Sequence, residues 1–130
     1  MKPVDPFDFD HDRERRTGFP EVIYGTGKSA DQIITALLAI ADRSGRALAT
    51  RVDAEQGAQI AAAVPQAQWH QSCRCISVER TEIARQGQIV VICAGTTDLP
   101  VALEAQVSAD LAGARTELVA DAGVAGIHRI

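Results

Sequence analysis

The stretch Ile89-Val-Val-Ile-Cys-Ala-Gly-Thr-Thr-Asp-Leu-Pro100 decides the fold of this chain. Its first four residues are apolar, and such a run predicts a parallel β-strand that is fully buried. Pro100 then opens an apolar run with helical spacing. The small polar segment 94–98 between them presents backbone N–H groups and hydroxyls beside a helix N-terminus, an environment that favours negative charge. We therefore expect a strand, a phosphate- or carboxylate-binding loop and a helix in succession.

Composition excludes several classes of function. The 130 residues carry 13 basic and 17 acidic side chains, a net charge of −4, which argues against a nucleic-acid partner because such binding needs a positive field. No apolar run is long enough for a membrane span, and the acidic, proline-containing N-terminus is unlike a signal peptide. We expect a cytoplasmic protein with no membrane partner.

The chain has three cysteines, an odd number, and its N-terminus is unlike a secretion signal, so we expect no disulfide. Cys73 and Cys75 lie near His70, but structural zinc sites prefer pairs separated by two or more residues and need a second pair. On a strand, Cys73 and Cys75 would share one face. We interpret both, together with Cys93, as buried packing residues and predict no metal site.

The chain divides into three parts. Residues 1–20 lack periodicity and are predicted to form an extended arm that packs through its phenylalanines. Residues 21–86 are predicted to form a small N-terminal α/β domain, and residues 87–130 the start of a second, incomplete domain. The arm contains a cluster of three arginines, which is either a solvated lead-in or a pair of guanidinium groups for a phosphate or carboxylate in an active site. The residues concerned are Phe7, Phe9, Phe19, Arg13, Arg15 and Arg16.

In the first domain, local signals alternate between strand and helix. Ser29 and Gln32 have the spacing of a capping box, and Asp53 with Gln56 repeats it. The first helix has an apolar stripe that ends at Ser44-Gly45, and the second ends at Pro65. This order implies an α/β layer structure with right-handed crossovers. The predicted strands are 22–24, 47–52, 68–72 and 75–78, and the stripe is Ile33, Ile34, Leu37, Leu38 and Ala41.

The second domain begins as a β-α-β unit. The strand at 89–93 leads to a helix at about 100–111 that turns Leu103, Val107 and Leu111 inward, and a strand at 116–120 follows Gly113. The glycine-rich segment 121–130 comes after that strand, where the edge of a sheet offers a ligand site.

Three segments resemble one known family. Residues 8–28, 94–101 and 121–129 resemble, in order, signatures of the LarB family, which makes a precursor of the nickel-pincer nucleotide cofactor of lactate racemase. The resemblance implies an α/β fold: a small N-terminal α/β domain followed by the first β-α-β unit of a flavodoxin-like domain, similar to aminoimidazole ribonucleotide (AIR) carboxylase of the PurE type.

The resemblance also implies a reaction. The family carboxylates the pyridinium ring of nicotinic acid adenine dinucleotide and hydrolyses its phosphoanhydride, giving pyridinium-3,5-biscarboxylic acid mononucleotide and AMP. Carbon dioxide or bicarbonate is the co-substrate, magnesium is an optional helper, and no tightly bound cofactor is implied. The carboxylase relatives assemble as octamers, so a homo-oligomer is expected.

Carried over by position, the resemblance assigns Gly95, Thr96, Thr97 and Asp98 to a loop that holds a nucleotide phosphate and ribose. Asp98 is equally compatible with a role as a helix N-cap and nothing more. His128 and Arg129 fall where relatives place a His-Arg pair beside the reacting carboxylate, although a frayed chain end is the alternative.

Two departures from the family pattern bear on activity. Thr97 stands where serine is more usual, a change that keeps the hydroxyl. The family's catalytic cysteine belongs to a later segment than Ile130, so we expect the 130-residue chain by itself to be inactive. A non-catalytic nucleotide-binding or structural fragment and an AIR carboxylase-type mutase are the alternatives.

Overall fold

The computed structural model describes residues 18–120, and within them the chain alternates between strands and helices. The longest helix in this part of the chain has 15 residues, and no helix in this part is both long and apolar enough to cross a bilayer. The elements are β1 (Ile23–Tyr24), α1 (Ala30–Ser44), β2 (Arg46–Thr50), α2 (Ala54–Ala63), β3 (Ala67–His70), β4 (Cys75–Glu79), β5 (Gln88–Ile92), α3 (Leu99–Ala112) and β6 (Arg115–Val119), with short 3-10 turns at Gln71–Cys73 and Thr96–Asp98.

A four-stranded mixed sheet in the order β1-β2-β4-β3 forms the first part of the fold. β1 and β2 are parallel, whereas β4 is antiparallel to both β2 and β3. Consequently β1, β2 and β3 point in one direction and β4 is inserted between the last two in the opposite direction. The expectation of an α/β fold is confirmed, with a mixed rather than a simply wound sheet.

Hydrogen-bonded caps determine where the two helices that follow β1 and β2 begin. The predicted capping box of α1 is confirmed: Ser29 Oγ accepts from Gln32 N (3.1 Å) and Gln32 Oε1 accepts from Ser29 N (2.9 Å). Gly45 ends α1 in the left-handed region with φ 76°. The repeat at α2 is only half present, because Asp53 caps Gln56 N while the Gln56 amide nitrogen donates instead to Lys28 O (2.8 Å).

The helices α1 and α2 cover one face of this sheet. Alternation along the strands points Ala47 and Ala49 of β2, and Ile76 and Val78 of β4, toward the helices. From α1 the buried residues are Ile33, Ala36, Leu37, Ile40 and Ala41, so that Ile34 and Leu38 of the predicted stripe lie at its half-buried margin.

The opposite face of the same sheet is covered by α3. Leu111 is 2% exposed and packs with Leu48 of β2, Cys73 and Cys75, while Leu103 and Val107 border this second cluster. The predicted inward stripe of α3 is therefore confirmed, but the surface it meets is the sheet of the first part of the chain. Phe19 also borders this cluster, and the Arg46 guanidinium lies 5.1 Å above its ring.

The second sheet contains β5 and β6, paired in parallel across α3. The prediction that residues 89–92 form a fully buried strand is wrong: Ile89, Val90 and Ile92 are 45%, 47% and 53% exposed. The run is a parallel strand as expected. An apolar run predicts a buried strand, but burial requires neighbouring strands and helices on both faces. Residues 18–120 supply only one neighbouring strand and one helix for β5.

The predicted strand at 68–72 ends earlier. It stops at His70, and Gln71–Cys73 form a 3-10 turn that leads into β4 through Arg74, which has φ 55°. This turn reverses the chain so that β3 and β4 pair antiparallel, with His70 opposite Cys75.

Candidate functional site

The loop between β5 and α3 occupies the position that its sequence predicts. Cys93 N donates to Val119 O (3.0 Å), which ends the parallel pairing, and the chain then bends through Ala94 and Gly95. Within residues 18–120, no backbone acceptor partners the amides of Gly95, Thr96 or Thr97. Both threonines are exposed. Unpaired donors beside hydroxyls at the start of a 14-residue helix form a surface suited to an anion.

Asp98 occupies the N-cap position of α3, but it is not a side-chain cap. Its backbone is helical (φ −90°, ψ −5°), its N–H donates to Gly95 O (3.2 Å), and its carboxylate makes no capping hydrogen bond. The exposed carboxylate remains available to accept a hydrogen bond from a ligand hydroxyl.

One contact joins α3 to the four-stranded sheet, called the large sheet below, at the edge where β2 ends. Arg51, which directly follows β2, donates to Glu104 Oε1 at 2.6 Å. Glu104 lies six residues after Asp98, about 9 Å along the helix axis. Nothing in the sequence pattern indicates this contact, because the two residues belong to different predicted domains.

Several predicted site residues lie outside the described residues. These are His128, Arg129, Arg13, Arg15 and Arg16, together with Phe7 and Phe9 of the arm. The structure therefore brings together the four loop residues and leaves the assigned roles of the others as predictions.

The interpretation of the cysteines as buried packing residues is confirmed. Cys73, Cys75 and Cys93 are free and buried, and Cys75 Sγ lies 3.4 Å from Cys73 O. Burial raises the pKa of Cys73 and of Cys75, so both remain thiols at neutral pH. Between residues 18 and 120, no three His, Cys, Asp or Glu side chains come together as a metal site.

Sequence reasoning missed a cavity of about 360 Å³ between β3, β4 and α3. His70 Nε2 and Ser77 Oγ are 2.8 Å apart on its sheet wall. Burial lowers the pKa of His70, which keeps its imidazole neutral. Arg85, from the segment between β4 and β5, holds Asp110 of the helix wall (3.0 and 3.1 Å) and Glu79 of the sheet wall (3.3 and 3.2 Å).

The geometry thus defines an α/β protein with an exposed loop, suited to an anion, between the first strand and the helix of a β-α-β unit. Comparison with known families agrees: residues 2–80 match the LarB/PurE-like N-terminal domain family. The chain belongs to this family, which is related to AIR carboxylase. The match confirms the family resemblance drawn from the sequence.

A curated relative extends the similarity beyond the N-terminal domain. The chain is 33% identical over 132 aligned residues to the uncharacterized protein MJ0165 of Methanocaldococcus jannaschii. The alignment covers 93% of this chain and 50% of the relative, so the chain spans about half the length of the curated relative it matches.

Proposed function

We propose that this chain is part of an enzyme that carboxylates the pyridinium ring of nicotinic acid adenine dinucleotide and hydrolyses its phosphoanhydride, releasing AMP. The single observation that carries the proposal is the β5–α3 loop. Its amides, which have no backbone acceptor within residues 18–120, its two exposed hydroxyls and the Asp98 carboxylate, which makes no capping hydrogen bond, suit a phosphate joined to a ribose. Membership of a family related to AIR carboxylase supports this assignment.

In this proposal the loop binds and orients the substrate. The amides of Thr96 and Thr97 and their hydroxyls donate to phosphate oxygens, and Asp98 accepts from a ribose hydroxyl. His128 and Arg129 are proposed to lie beside the reacting carboxylate. In this arrangement the Arg129 guanidinium binds the carboxylate and the His128 imidazole transfers a proton. Carbon dioxide or bicarbonate supplies the new carboxyl group.

None of the three described cysteines can stand in for the catalytic cysteine that the family carries in a later segment. Cys73, Cys75 and Cys93 are buried, and the raised pKa values of the first two disfavour a thiolate. This observation favours a second candidate function for the 130-residue chain alone, a nucleotide-binding module without catalysis. Magnesium is assigned no step in this proposal.

Titration calorimetry with nicotinic acid adenine dinucleotide tests the proposal. We expect Thr96→Ala and Asp98→Ala each to weaken binding about three- to tenfold, as the loss of a hydrogen bond to a charged or polar ligand group does. Thr35→Ala is the matched control, because Thr35 Oγ1 donates to Asp31 O within α1 and lies in no candidate site. Equal affinity in all four proteins would remove the loop from the proposal.

Activity is a separate measurement. We expect the purified chain, incubated with the dinucleotide and bicarbonate, to form neither the biscarboxylated mononucleotide nor AMP. Formation of the biscarboxylated mononucleotide would contradict the view that the described cysteines are too buried to act, and formation of AMP alone would contradict the expected lack of hydrolysis.

A further inference from the structure

Three cationic side chains, Lys28, Arg51 and Arg74, meet at one edge of the large sheet. Lys28 follows β1, Arg51 directly follows β2, and Arg74 directly precedes β4. Because β1, β2 and β3 run in one direction and β4 in the other, the ends of the first three and the start of the fourth share this edge. The three residues therefore converge although they are far apart in sequence. We call them the edge cluster.

Backbone hydrogen bonds hold the three segments together. Gly25 N donates to Thr50 O (2.8 Å), and Val52 N donates to Arg74 O (3.0 Å). A Cβ on Gly25 would lie 2.8 Å from the carbonyl oxygens of Thr50 and Arg51, so this approach requires glycine. The edge cluster is built on the ends of a packed sheet rather than on a long loop.

The two arginines stand at positions that favour other residues. Arg51 has φ 59° and Arg74 has φ 55°, in the left-handed region where glycine and asparagine are the residues of low cost. Both side chains are exposed. Local backbone preference therefore does not account for arginine at either position.

The edge cluster contains one arginine that has no ion pair within residues 18–120. Arg51 pairs with Glu104, and the Lys28 ammonium donates to Tyr24 O (2.6 Å), whereas Arg74 makes no ion pair with the rest of the described chain. The pKa of Tyr24 is lowered by hydrogen bonds from the side chains of Thr26 and Arg51 and by the charges of Arg51 and Arg74. The exposed Tyr24 phenol is therefore influenced by the charges of Arg51 and Arg74, although the net charge of the chain is −4.

We propose that the edge cluster, with the Tyr24 hydroxyl as a further donor, binds a phosphate group of the dinucleotide. The inference rests on the proposed function and adds a second subsite to it. Arg51 contacts Glu104 on α3, about 9 Å along the helix from the β5–α3 loop. Loop and edge cluster therefore lie close enough for one dinucleotide to contact both, with the loop holding one phosphate and its ribose and the edge cluster holding the other phosphate. Guanidinium groups suit such a partner because they bind phosphate oxygens through two parallel hydrogen bonds.

Calorimetric titration with two probes, inorganic pyrophosphate and nicotinic acid adenine dinucleotide, tests this subsite. We expect Arg74→Gln to weaken pyrophosphate binding about three- to tenfold, and the affinity of the unaltered chain to fall as ionic strength rises. Arg74→Gln removes the charge, keeps a polar side chain and leaves the backbone bond from Val52 N to Arg74 O in place. Arg43→Gln is the control, because Arg43 is an exposed arginine in the last turn of α1, at the other end of the sheet. Circular dichroism melts confirm that each variant is folded.

The outcomes separate the two proposals. Equal pyrophosphate affinity in the unaltered chain, Arg74→Gln and Arg43→Gln, or no binding at all, overturns the subsite. Dinucleotide binding that is weakened by Thr96→Ala but not by Arg74→Gln overturns the subsite alone and leaves the loop. Pyrophosphate binding that depends on Arg74, with dinucleotide binding indifferent to Thr96, keeps the edge cluster and rejects the loop.

Discussion

Gly57 lies within α2, against the indole ring of Trp69. A Cβ at this position would lie 2.6 Å from ring atoms Cδ2 and Cε2, closer than van der Waals contact allows. Glycine in a helix costs about 1 kcal/mol relative to alanine. The helix tolerates this loss because the missing side chain makes room for an indole that packs against the core.

Replacing Gly57 by alanine tests this packing. Helix propensity alone predicts that Gly57→Ala is stabilising, but we expect a net loss of about 1–3 kcal/mol in the free energy of unfolding because the ring must move. Urea unfolding measures the change. In a Trp69→Leu background the same substitution is expected to become neutral or stabilising, and a loss of equal size there would refute the explanation.

His70 makes stability depend on pH. Burial lowers its pKa below the ordinary 6.5, although the charge of Asp110 acts in the opposite direction. Between the ordinary pKa and the lowered pKa of the folded state, the unfolded chain therefore binds more protons than the folded one. The free energy of unfolding falls as the pH falls through that interval.

The expected difference is measurable by thermal melting between about pH 7.5 and pH 5. We expect the melting temperature of the unaltered chain to fall more over this interval than that of His70→Gln, whose amide still reaches Ser77. Parallel decreases in the two proteins would show that other groups account for the pH dependence.

At the scale of elements, α3 has two roles. It connects the parallel strands β5 and β6, and its buried residue Leu111 completes the core beneath β2 and β4. The Arg51–Glu104 pair and the Arg85 contacts to Asp110 join the same two parts of the chain. The helix therefore couples the second unit to the first.

Truncating Leu111 tests this coupling. We expect Leu111→Ala to lower the free energy of unfolding by about 2–4 kcal/mol, because Leu111 is 2% exposed. Val101→Ala in the same helix is the control, with an expected change within about 0.5 kcal/mol, because Val101 is 72% exposed. Urea unfolding monitored by circular dichroism gives both values. Equal effects would mean that α3 is not docked on the sheet.

At the scale of the whole molecule, the described residues leave apolar surface uncovered on β5. Ile89, Val90 and Ile92 are about half exposed, and a parallel sheet of two strands is normally covered on both faces. Exposed apolar strands promote association. The expectation of a homo-oligomer, which the residues 18–120 do not test, acquires a physical basis in this surface.

Sedimentation velocity over a range of concentrations measures the association. We expect the unaltered chain to associate with rising concentration, and Val90→Lys to shift it toward monomer. Val101→Lys places the same charge on an exposed position of α3 and is expected to have little effect. A monomer at every concentration in the unaltered chain would contradict this expectation.

Local signals predicted most of the elements, for reasons that lie within a few residues of each other. Ser29 and Gln32 satisfy each other's backbone amides, Gly45 ends α1 through its positive φ, and the run at 89–92 became a parallel strand. The strand at 68–72 was predicted too long because Arg74 turns the chain in a conformation that its residue type disfavours. The position of the loop 95–98 between a strand and a helix was predicted because its residues are contiguous in sequence, and its role in binding stays a prediction.

The sequence by itself determined the order of strands and helices, the caps, the burial of the cysteines and the place of the loop between β5 and α3. Only the tertiary structure decided which surfaces meet: that α3 packs on the first sheet, that His70 lines a cavity, and that Lys28, Arg51 and Arg74 converge. The physical reason is that hydrogen-bonding patterns and hydrophobic periodicity act between residues close along the chain. Burial and charge proximity, in contrast, depend on which distant segments share the same space.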